Sequence, residues 1–334
     1  MSSTIKIAVD AMGGDGSPKK VVEGIIHHYK NNKNTYYQIF GNQAMVQNHI
    51  KESLPESCFE ITHTDETVKG TDSPLEAAKR GKNTSMWLAI QSVKEKKSDI
   101  VISAGNTGAL LVISKLNLKM IENIDKPALS ALWPNKKGMS VVLDLGANIE
   151  CSPKNLIDFS IMGSSLFKSL YPSMNAKVAL LNIGSEEIKG NDMIKETYQQ
   201  LSKKNNLDYE FKGYIEGNQL MNGDVNVIVA DGFTGNIALK TAEGTANFIT
   251  GELKKTISGN LIGKISSLLN ISNLKKFKQK FDPRLYNGAI FIGLDSPVIK
   301  SHGGTDYIGF SNSLSVCTKI VNGNLIKKIR ANIR

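Results

Sequence analysis

The sequence has few cysteines and no motif that groups them. Its three cysteines, Cys58, Cys151 and Cys317, lie far apart and form no CxxC pair, which argues against a disulfide framework or a zinc site. The five histidines lack the spacing of metal ligands, and no HExxH motif occurs. We therefore expect a reducing compartment and no bound metal.

Long apolar runs are absent as well. No stretch reaches the roughly 18 apolar residues of a membrane-spanning helix. The first residues, MSSTIKIAVD, have no apolar core of the kind found in signal peptides. With 40% hydrophobic and 22% charged residues, the composition is typical of a globular protein. A transmembrane or broadly disordered protein is excluded, and a cytoplasmic location is expected.

The common nucleotide-binding and hydrolase motifs are also missing. There is no G-x-x-x-x-G-K-[ST] sequence, and GGDG at 13–16 lacks the third glycine of G-x-G-x-x-G. No G-x-S-x-G elbow is present. These absences disfavour kinases, dinucleotide dehydrogenases and serine hydrolases, and we expect no cofactor.

Short β-branched runs recur along the chain, each followed by a turn rich in glycine, aspartate or asparagine. Most of these turns lead into a helical pattern, and this alternation indicates an α/β fold with a mainly parallel sheet. The near-continuous apolar strands fit a sheet covered on both faces. We predict one α/β unit over residues 1–334, with strands at 5–9, 37–40, 100–102, 141–143, 178–181, 225–229 and 298–299.

Positive charge is concentrated in a helical excursion at about 253–285. Seven lysines and no acid lie in 254–280, so this stretch supplies most of the net charge of +10. Its apolar residues follow helical spacing. The pattern fits helices that pack on the core or across a dimer, or a tip that rests on an anionic membrane. The lysines can also attract an acidic protein. A non-enzymatic scaffold for membrane or nucleic acid is a further alternative, although it leaves the glycine-rich loops unexplained.

The glycine-rich turns suggest an anion site. In an open α/β sheet, ligands bind beyond the carboxyl ends of the strands, where helix N-termini present free N–H groups. We expect several loops to converge there, although a single glycine can simply form a tight turn. The segment SAGNTG at 103–108 suits phosphate.

Cys151 is a weak candidate nucleophile, because no base lies near it in sequence. Charged residues in or beside the loops are Asp10, Asp15, Arg80, Lys82, Asp144, Glu186, Glu187, Lys189, Asp231, Lys240 and His302.

Eight segments of the sequence, spread in order along nearly the whole chain, match the motifs of one known family. The segments are IAVDAMGGDGSP (7–18), KRGKNTSM (79–86), ISAGNTGAL (102–110), DLGAN (144–148), IMG (161–163), LLNIGSEEIKGN (180–191), ADGFTGNIALKTAEG (230–244) and YNGAIFIGLDSPVIKSHGGTD (286–306). In these segments the sequence resembles the phosphate acyltransferases of bacterial phospholipid synthesis, the PlsX family. It departs from the family pattern at Gly16 and Ser17, where a His-Ala-like pair is usual, and at Ser301, where Cys or Ala is usual.

The resemblance implies a three-layer α/β/α sandwich related to isopropylmalate dehydrogenase and phosphotransacetylase, and a homodimer. It implies transfer of a fatty acyl group from acyl-[acyl-carrier protein] to inorganic phosphate, without a nucleic acid partner. The acyl phosphate would pass to a membrane glycerol-3-phosphate acyltransferase for phosphatidic acid synthesis, so peripheral association with an anionic membrane is expected. A short-chain phosphotransacetylase that uses acyl-CoA is the alternative within this fold.

The implied reaction requires positioning more than acid–base chemistry. A phosphate oxygen attacks the thioester carbonyl, and a thiol with a pKa of about 8.5 is a good leaving group. The enzyme therefore mainly orients two reactants and holds donors at the oxyanion. We expect residues 103–108 and the turn at Gly13 and Gly14 to cradle phosphate.

Side-chain roles follow from the resemblance combined with this chemistry. We expect Lys189 and Lys240 to neutralise charge, and His302 and Asn106 to donate to the carbonyl. The candidate substrate-binding residues are Asp10, Gly13, Gly14, Asp15, Arg80, Lys82, Ser103, Gly105, Thr107, Gly108, Asp144, Asn148, Asp231, Gly232, Thr234, Gly235 and Asn236. The candidate membrane contacts are Leu261, Ile265, Leu268, Leu269, Lys275 and Lys276.

Overall fold

A computed structural model describes residues 4–204, 207–258, 270, 272–273 and 282–333. Strands and helices alternate along most of this part of the chain. The strands are β1 Ile5–Asp10, β2 Thr35–Gly41, β3 Phe59–His63, β4 Ile100–Ser103, β5 Ala128–Asn135, β6 Gly138–Leu143, β7 Lys177–Asn182, β8 Glu210–Glu216, β9 Val227–Val229, β10 Ala289–Ile292 and β11 Val298–Lys300. The helices are α1 Lys19–Tyr29, α2 Gln43–Ile50, α3 Pro74–Arg80, α4 Ser85–Lys94, α5 Thr107–Asn117, α6 Pro153–Leu170, α7 Asp192–Ser202, α8 Gly232–Ser258, α9 Tyr307–Asn322 and α10 Leu325–Asn332.

The strands form a single sheet in the order β3-β2-β1-β4-β11-β10-β5-β6-β9-β7-β8. Two parallel blocks, β3-β2-β1-β4-β11 and β6-β9-β7-β8, flank a central antiparallel region. β10 is antiparallel to β11 and to β5, and β5 is antiparallel to β6. The strand direction therefore reverses three times on going from β11 through β10 and β5 to β6. As a result, the carboxyl ends of the two parallel blocks point to opposite edges of the sheet.

Helices cover both faces of the sheet. Side chains from α1, α6, α9 and α10 pack on one face in a core cluster that spans both parallel blocks. On the other face, α4 and α5 cover the first block, while the start of α8 packs beside the second. Successive residues of one strand point to opposite faces of the sheet. Ile7 of β1 therefore lies in one cluster and Ala8 in the other. The three-layer α/β/α arrangement is confirmed.

All seven predicted strands are present in the sheet, within slightly different bounds. The sequence prediction missed β3, β5, β8 and β10. Of the basic excursion, the structure describes the end of α8 up to Ser258 and a few residues beyond it. The candidate membrane contacts Leu261, Ile265, Leu268, Leu269, Lys275 and Lys276 lie outside the described residues. Of the helices that are described, none has both the length and the apolarity to cross a bilayer.

Candidate active site

Three neighbouring parallel strands end side by side with polar residues. Asp10 of β1 is paired with Ser103 of β4, and Ser103 is paired with Lys300 of β11. These three residues therefore occupy one row across the sheet, at the carboxyl ends where ligands of α/β proteins bind. We call this row and the loops that follow it, residues 11–16, 104–106 and 301–306, the first edge.

A buried carboxylate organises the first edge. Asp10 is 1% exposed and accepts hydrogen bonds from the hydroxyls of Ser85 and Ser103, each 2.6 Å long. The N–H of Met12 donates to the same carboxylate at 3.2 Å. Burial raises the pKa of Asp10, while the bonds from Ser103 and Ser85 oppose that rise. Asp10 thus ties β1 to β4 and to the head of α4.

Two glycines bring the β1 and β4 loops into backbone contact. A Cβ added at Gly13 would lie 2.5 Å from the nitrogen of Gly105 and 2.7 Å from Oδ2 of Asp10. Gly14 has φ of +83°, a left-handed conformation, and its Cβ would lie 2.8 Å from the carbonyl oxygen of Ala104. The β11 loop joins them, because the N–H of Asp15 donates to the carbonyl of Gly303 at 3.0 Å. Glycine is therefore required at this meeting point for steric reasons.

Two lysines converge on the same loops. Lys20 in the first turn of α1 is only 7% exposed, and its ammonium donates to the carbonyl of Gly303. Lys300 donates to the carbonyl of Ser301 and, at 3.4 Å, to that of Ala104. Burial and the neighbouring Lys20 lower the pKa of Lys300 to about 8. The first edge thus holds two cations among backbone carbonyls.

The head of α5 is fixed by its own cap. The side chain of Asn106 accepts the N–H of Ala109 at 3.0 Å, and its amide donates to the carbonyls of Gly70 and Asp72. Both N–H donors of this amide are therefore already used. The first N–H groups of α5, beginning at Thr107, have no carbonyl partner within the helix. The N–H of Ala109 among them is capped by Asn106, and the start of a helix favours an anion.

His302 is exposed on the β11 loop. Its Nδ1 accepts the N–H of Gly304 at 3.1 Å, so the proton of the neutral ring is on Nε2, which can donate. The buried side chain of Asn287 accepts the N–H of His302 at 2.8 Å and donates to Ser301 at 2.9 Å. Asn287 therefore positions the backbone of this loop.

The remaining candidates near the first edge are more exposed. Arg80 ends α3 and helps to line a cleft of about 290 Å³ beside Gly81 and Thr84. Lys82 and Asp15 are exposed. Gly108 lies against Pro74, since a Cβ there would lie 2.6 Å from the proline ring. Asp72 also lines the cleft and its carbonyl accepts the amide of Asn106 at 2.9 Å, so the cleft is adjacent to the start of α5.

A second group of candidates lies where β6, β9 and β7 end, which we call the second edge. Asp144 is fully buried and accepts N–H groups of Leu129, Ala147 and Asn148, together with the amide of Asn148. Burial raises its pKa and these bonds counteract the rise. Its contacts satisfy the carboxylate within the chain, which is typical of a structural role.

The head of α8 belongs to the second edge as well. Asp231 caps it by accepting the N–H and the hydroxyl of Thr234 at 2.9 and 2.7 Å. Gly232 and Gly235 lie so close to Asn148 and Asp144 that neither has room for a side chain. Asn236 packs near Gly146, where an added Cβ would lie 3.6 Å from it.

The two lysines expected to neutralise phosphate are also at the second edge. Lys189 is exposed in the loop after β7, and Lys240 is exposed on α8, paired with Glu243 at 2.8 Å. β7 is six strand positions from β4, about 29 Å along the sheet at the usual strand spacing. The expectation that all the glycine-rich loops converge on one site is therefore wrong within this chain. The antiparallel strands β10 and β5 reverse the second block, so its loops emerge at the opposite edge.

Cys151 is poorly suited to act as a nucleophile. Burial and the nearby Asp144 raise the pKa of its thiol to about 11, so the reactive thiolate is rare at neutral pH. Nor do three or more carboxylate, imidazole or thiol groups assemble into a possible metal site in the described part of the chain.

Sequence reasoning missed Lys20, Lys300, Ser85 and Asn287. Lys300 and Asn287 lie inside the matched segment 286–306, and Ser85 lies inside 79–86. Lys20 follows the glycine-rich turn by a few residues and looks like an ordinary surface lysine. Only the three-dimensional contact of α1 with the β11 loop shows that it is buried.

Comparisons with known proteins agree along the whole chain. A family model described as "Fatty acid synthesis protein" matches residues 5–328. A phosphate acyltransferase of Pelagibacter ubique (strain HTCC1062) is 85% identical over 333 residues and covers 100% of both chains. The chain belongs to the phosphate acyltransferase family. It is therefore an acyltransferase, and the resemblance found in its sequence is confirmed.

More distant proteins share the fold of this acyltransferase. A phosphate acyltransferase of Maricaulis maris (strain MCS10) is 42% identical and covers 100% of this chain and 96% of its own. A phosphotransacetylase from Streptococcus pyogenes superposes with a TM-score of 0.62 at 15% identity, covering 97% of this chain and 94% of its own. At that identity the structural likeness shows the fold, and the α/β fold expected from the sequence is confirmed.

Proposed function

We propose that the acyltransferase moves a fatty acyl group from acyl-[acyl-carrier protein] to inorganic phosphate at the first edge. The observation that carries the proposal is the backbone contact between Gly13 and Gly105. It joins the β1 and β4 loops at the head of α5, where the N–H groups of Thr107 and Gly108 have no carbonyl partner within the helix and suit a phosphate oxygen. The family supplies the reaction class, and this contact supplies a place for the anion.

The chemistry proceeds as a direct displacement. Phosphate at the head of α5 attacks the carbonyl carbon of the thioester, and a C–O bond forms as the C–S bond breaks. The Nε2–H of His302 donates to the carbonyl oxygen while negative charge develops there. The thiolate leaves with the carrier protein and takes a proton from water. Asp10 does not touch the reactants and acts by fixing Ser103 and the loop that follows it.

In the proposed site, some candidate residues have a different role from the one expected from the sequence. Gly13, Gly14, Gly105, Thr107 and Gly108 form the backbone cradle for phosphate. Asn106 becomes a positioning residue, because both of its N–H donors bind the chain itself. Arg80, Lys82 and Asp15 border the entrance. The candidates of the second edge lie apart from this site within one chain, namely Asp144, Asn148, Lys189, Asp231, Gly232, Thr234, Gly235, Asn236 and Lys240.

The physiological role follows from the product. An acyl phosphate is an activated acyl donor, and a membrane glycerol-3-phosphate acyltransferase would consume it in phosphatidic acid synthesis. The lysine-rich segment 254–280 would bring the enzyme to an anionic membrane surface. Flotation with anionic liposomes tests this contact. Binding should fall when Leu268 and Leu269 are changed to Ser and should persist in Leu116→Ser, an exposed leucine of α5.

A homodimer is part of the proposal. α8 has 27 residues and is largely exposed beyond its first turns. Apolar side chains on an exposed helix favour association with a second copy, since monomers rarely leave such surfaces uncovered. The exposed apolar residues of α8 are Phe233, Ile237, Phe248, Ile249 and Leu253.

A short-chain phosphotransacetylase that uses acyl-CoA is the second candidate. The observation that favours it is the structural likeness to phosphotransacetylases from Streptococcus pyogenes and Staphylococcus aureus. Both candidates transfer an acyl group to phosphate, and they differ in the thiol that leaves.

One experiment separates them. The purified protein is incubated with phosphate and either a long-chain acyl-carrier protein or the matching acyl-CoA, and acyl phosphate is trapped with hydroxylamine. We expect phosphate-dependent product from the carrier-protein thioester. Product from acyl-CoA alone would favour the second candidate, and no product from either thioester would contradict the proposed function.

A further inference from the structure

The two lysines of the first edge approach one another around Gly14. A Cβ added at Gly14 would lie 2.9 Å from Nζ of Lys20 and 2.8 Å from the carbonyl oxygen of Ala104. That carbonyl also accepts from Nζ of Lys300 at 3.4 Å. Both ammonium groups are therefore next to the turn where the β1, β4 and β11 loops meet.

Among the residues that the structure describes, no carboxylate forms an ion pair with either lysine. In the described part of the chain, both ammonium groups donate only to backbone carbonyls, those of Ala104, Ser301 and Gly303. The side chain of Lys20 is nearly buried. Removing a cation from water without pairing it is costly. Two such cations beside each other add repulsion, which lowers the pKa of Lys300.

The surrounding charges compensate for this cost only in part. Asp10 of β1 and Asp15 of the β1 loop favour the charged lysines. The carboxylate of Asp10, however, is already bonded to Ser85 and Ser103. His302 and Asp306 are the titratable residues on the loop of Lys300 itself, and Asp306 is paired with Arg284 at 2.9 Å. An anion beside Lys300 would supply the missing negative charge.

We infer that Lys300, supported by Lys20, is the cationic residue that binds the phosphate substrate at the first edge. The inference rests on the proposed function and names the side chains that recognise its anionic substrate. An ammonium beside backbone N–H donors is a common arrangement for phosphate, with lysine acting as a point charge. Lys300 and Lys20 supply the positive charge at this edge, from which Lys189 and Lys240 are absent within the same chain.

A pH dependence follows from the same geometry. The pKa of Lys300 is lowered to about 8 in the ligand-free protein, mainly by burial. As the pH rises through this value, the lysine loses its charge and phosphate affinity should fall. Phosphate binding favours the charged form, so binding above pH 8 should be accompanied by proton uptake.

The test compares Lys300→Met with Lys300→Arg, and uses Lys19→Met on the exposed side of α1 as a matched control. The readouts are the KM for phosphate at saturating acyl donor and direct titration with phosphate by calorimetry without a donor. We expect Lys300→Met to raise the KM about tenfold to a hundredfold, as for loss of a hydrogen bond to a charged group. Lys300→Arg should retain most of the affinity, and Lys19→Met should match the wild type.

Separate outcomes address the two proposals. An unchanged phosphate KM in folded Lys300→Met would overturn the inference and leave the proposed function intact. If the wild type formed no acyl phosphate, the proposed function would fail, and calorimetry would still show whether phosphate binding depends on Lys300. If Lys300→Met does not fold, the phosphate KM of Lys20→Met and the calorimetric titration of the wild type between pH 7 and pH 9 are measured instead. Phosphate affinity that stays constant between pH 7 and pH 9 in the wild type, together with an unchanged phosphate KM in folded Lys20→Met, would also overturn the inference.

Discussion

The hydroxyl of Ser103 donates a 2.6 Å hydrogen bond to Oδ2 of Asp10, joining the last residues of two neighbouring parallel strands. The same hydroxyl accepts the N–H of Gly105 at 3.0 Å. The buried carboxylate therefore controls the conformation of the β4 loop through a single serine. Loss of either of these two hydrogen bonds should therefore disturb the proposed phosphate site, although neither Asp10 nor Ser103 contacts the substrate.

Ser103→Ala should therefore destabilise the fold and slow turnover. Without the Ser103 hydroxyl, Oδ2 of Asp10 stays buried and lacks this hydrogen-bond donor. Such a loss costs about 1–3 kcal/mol of unfolding free energy. Urea unfolding measures this change. The control is Ser114→Ala in α5, whose buried hydroxyl has no hydrogen-bond partner among the described residues. Equal losses in the two variants would show that the bond to Asp10 contributes nothing specific.

Gly13→Ala should impair catalysis. The new methyl group would meet the backbone nitrogen of Gly105 at 2.5 Å, so the β1 and β4 loops must move apart. A shift of roughly 1 Å in a reactant can reduce the rate about a hundredfold. Acyl phosphate formation and thermal unfolding are measured together. Gly70→Ala, where an added Cβ meets nothing within 4 Å, should behave like the wild type, and a wild-type rate in Gly13→Ala would contradict the proposed cradle.

Stability should depend on pH through His28. Burial, assisted by His27, lowers the pKa of His28 from 6.5 to about 4. Its neutral form is bonded to Tyr37 at 2.6 Å. The unfolded chain takes up the proton first as the pH falls, so this stability is present above pH 6.5 and is lost towards about pH 4.

Between pH 7 and pH 5, the wild type should lose about 2 kcal/mol more unfolding free energy than His28→Gln. Urea unfolding at both pH values measures the difference. His49→Gln on α2 should keep the wild-type loss. An identical loss in wild type and His28→Gln would show that His28 is not protonated on unfolding in this range.

The exposed face of α8 should determine the oligomeric state. Phe248 is 69% exposed, and a charge placed there would be buried in the proposed dimer at high cost. Sedimentation velocity should show a dimer for the wild type and a monomer for Phe248→Glu. Thr241→Glu in the same helix should remain dimeric. A monomeric wild type would contradict the proposed homodimer.

Local sequence patterns predicted most of the first edge. Apolar β-branched runs marked β1, β4 and β11, and the polar or glycine-rich residues after them marked Asp10, Gly13 and Ser103. These signals depend on short-range chemistry: a strand needs its periodicity, and a tight turn needs glycine. They are therefore readable without knowledge of the tertiary structure.

The separation of the two edges could not be predicted in the same way. It depends on the insertion of β10, residues 289–292, between β5 and β11, a pairing between segments far apart in sequence. Nothing local in AIFI specifies antiparallel direction. Lys20 and Lys300 were missed for a related reason, since a lysine is expected at the surface and only long-range packing buries Lys20 and partly buries Lys300.

The central claim is that phosphate binds at the first edge. It is tested by comparing Thr107→Glu at the head of α5 with Asn236→Glu near the head of α8. Both side chains are exposed, and an acid near a helix N-terminus does not oppose folding. The phosphate KM of each variant is measured with the carrier-protein thioester. We predict an increase of about tenfold or more for Thr107→Glu, through repulsion of the anion, and little change for Asn236→Glu; the reverse result would contradict the assignment and place phosphate at the second edge.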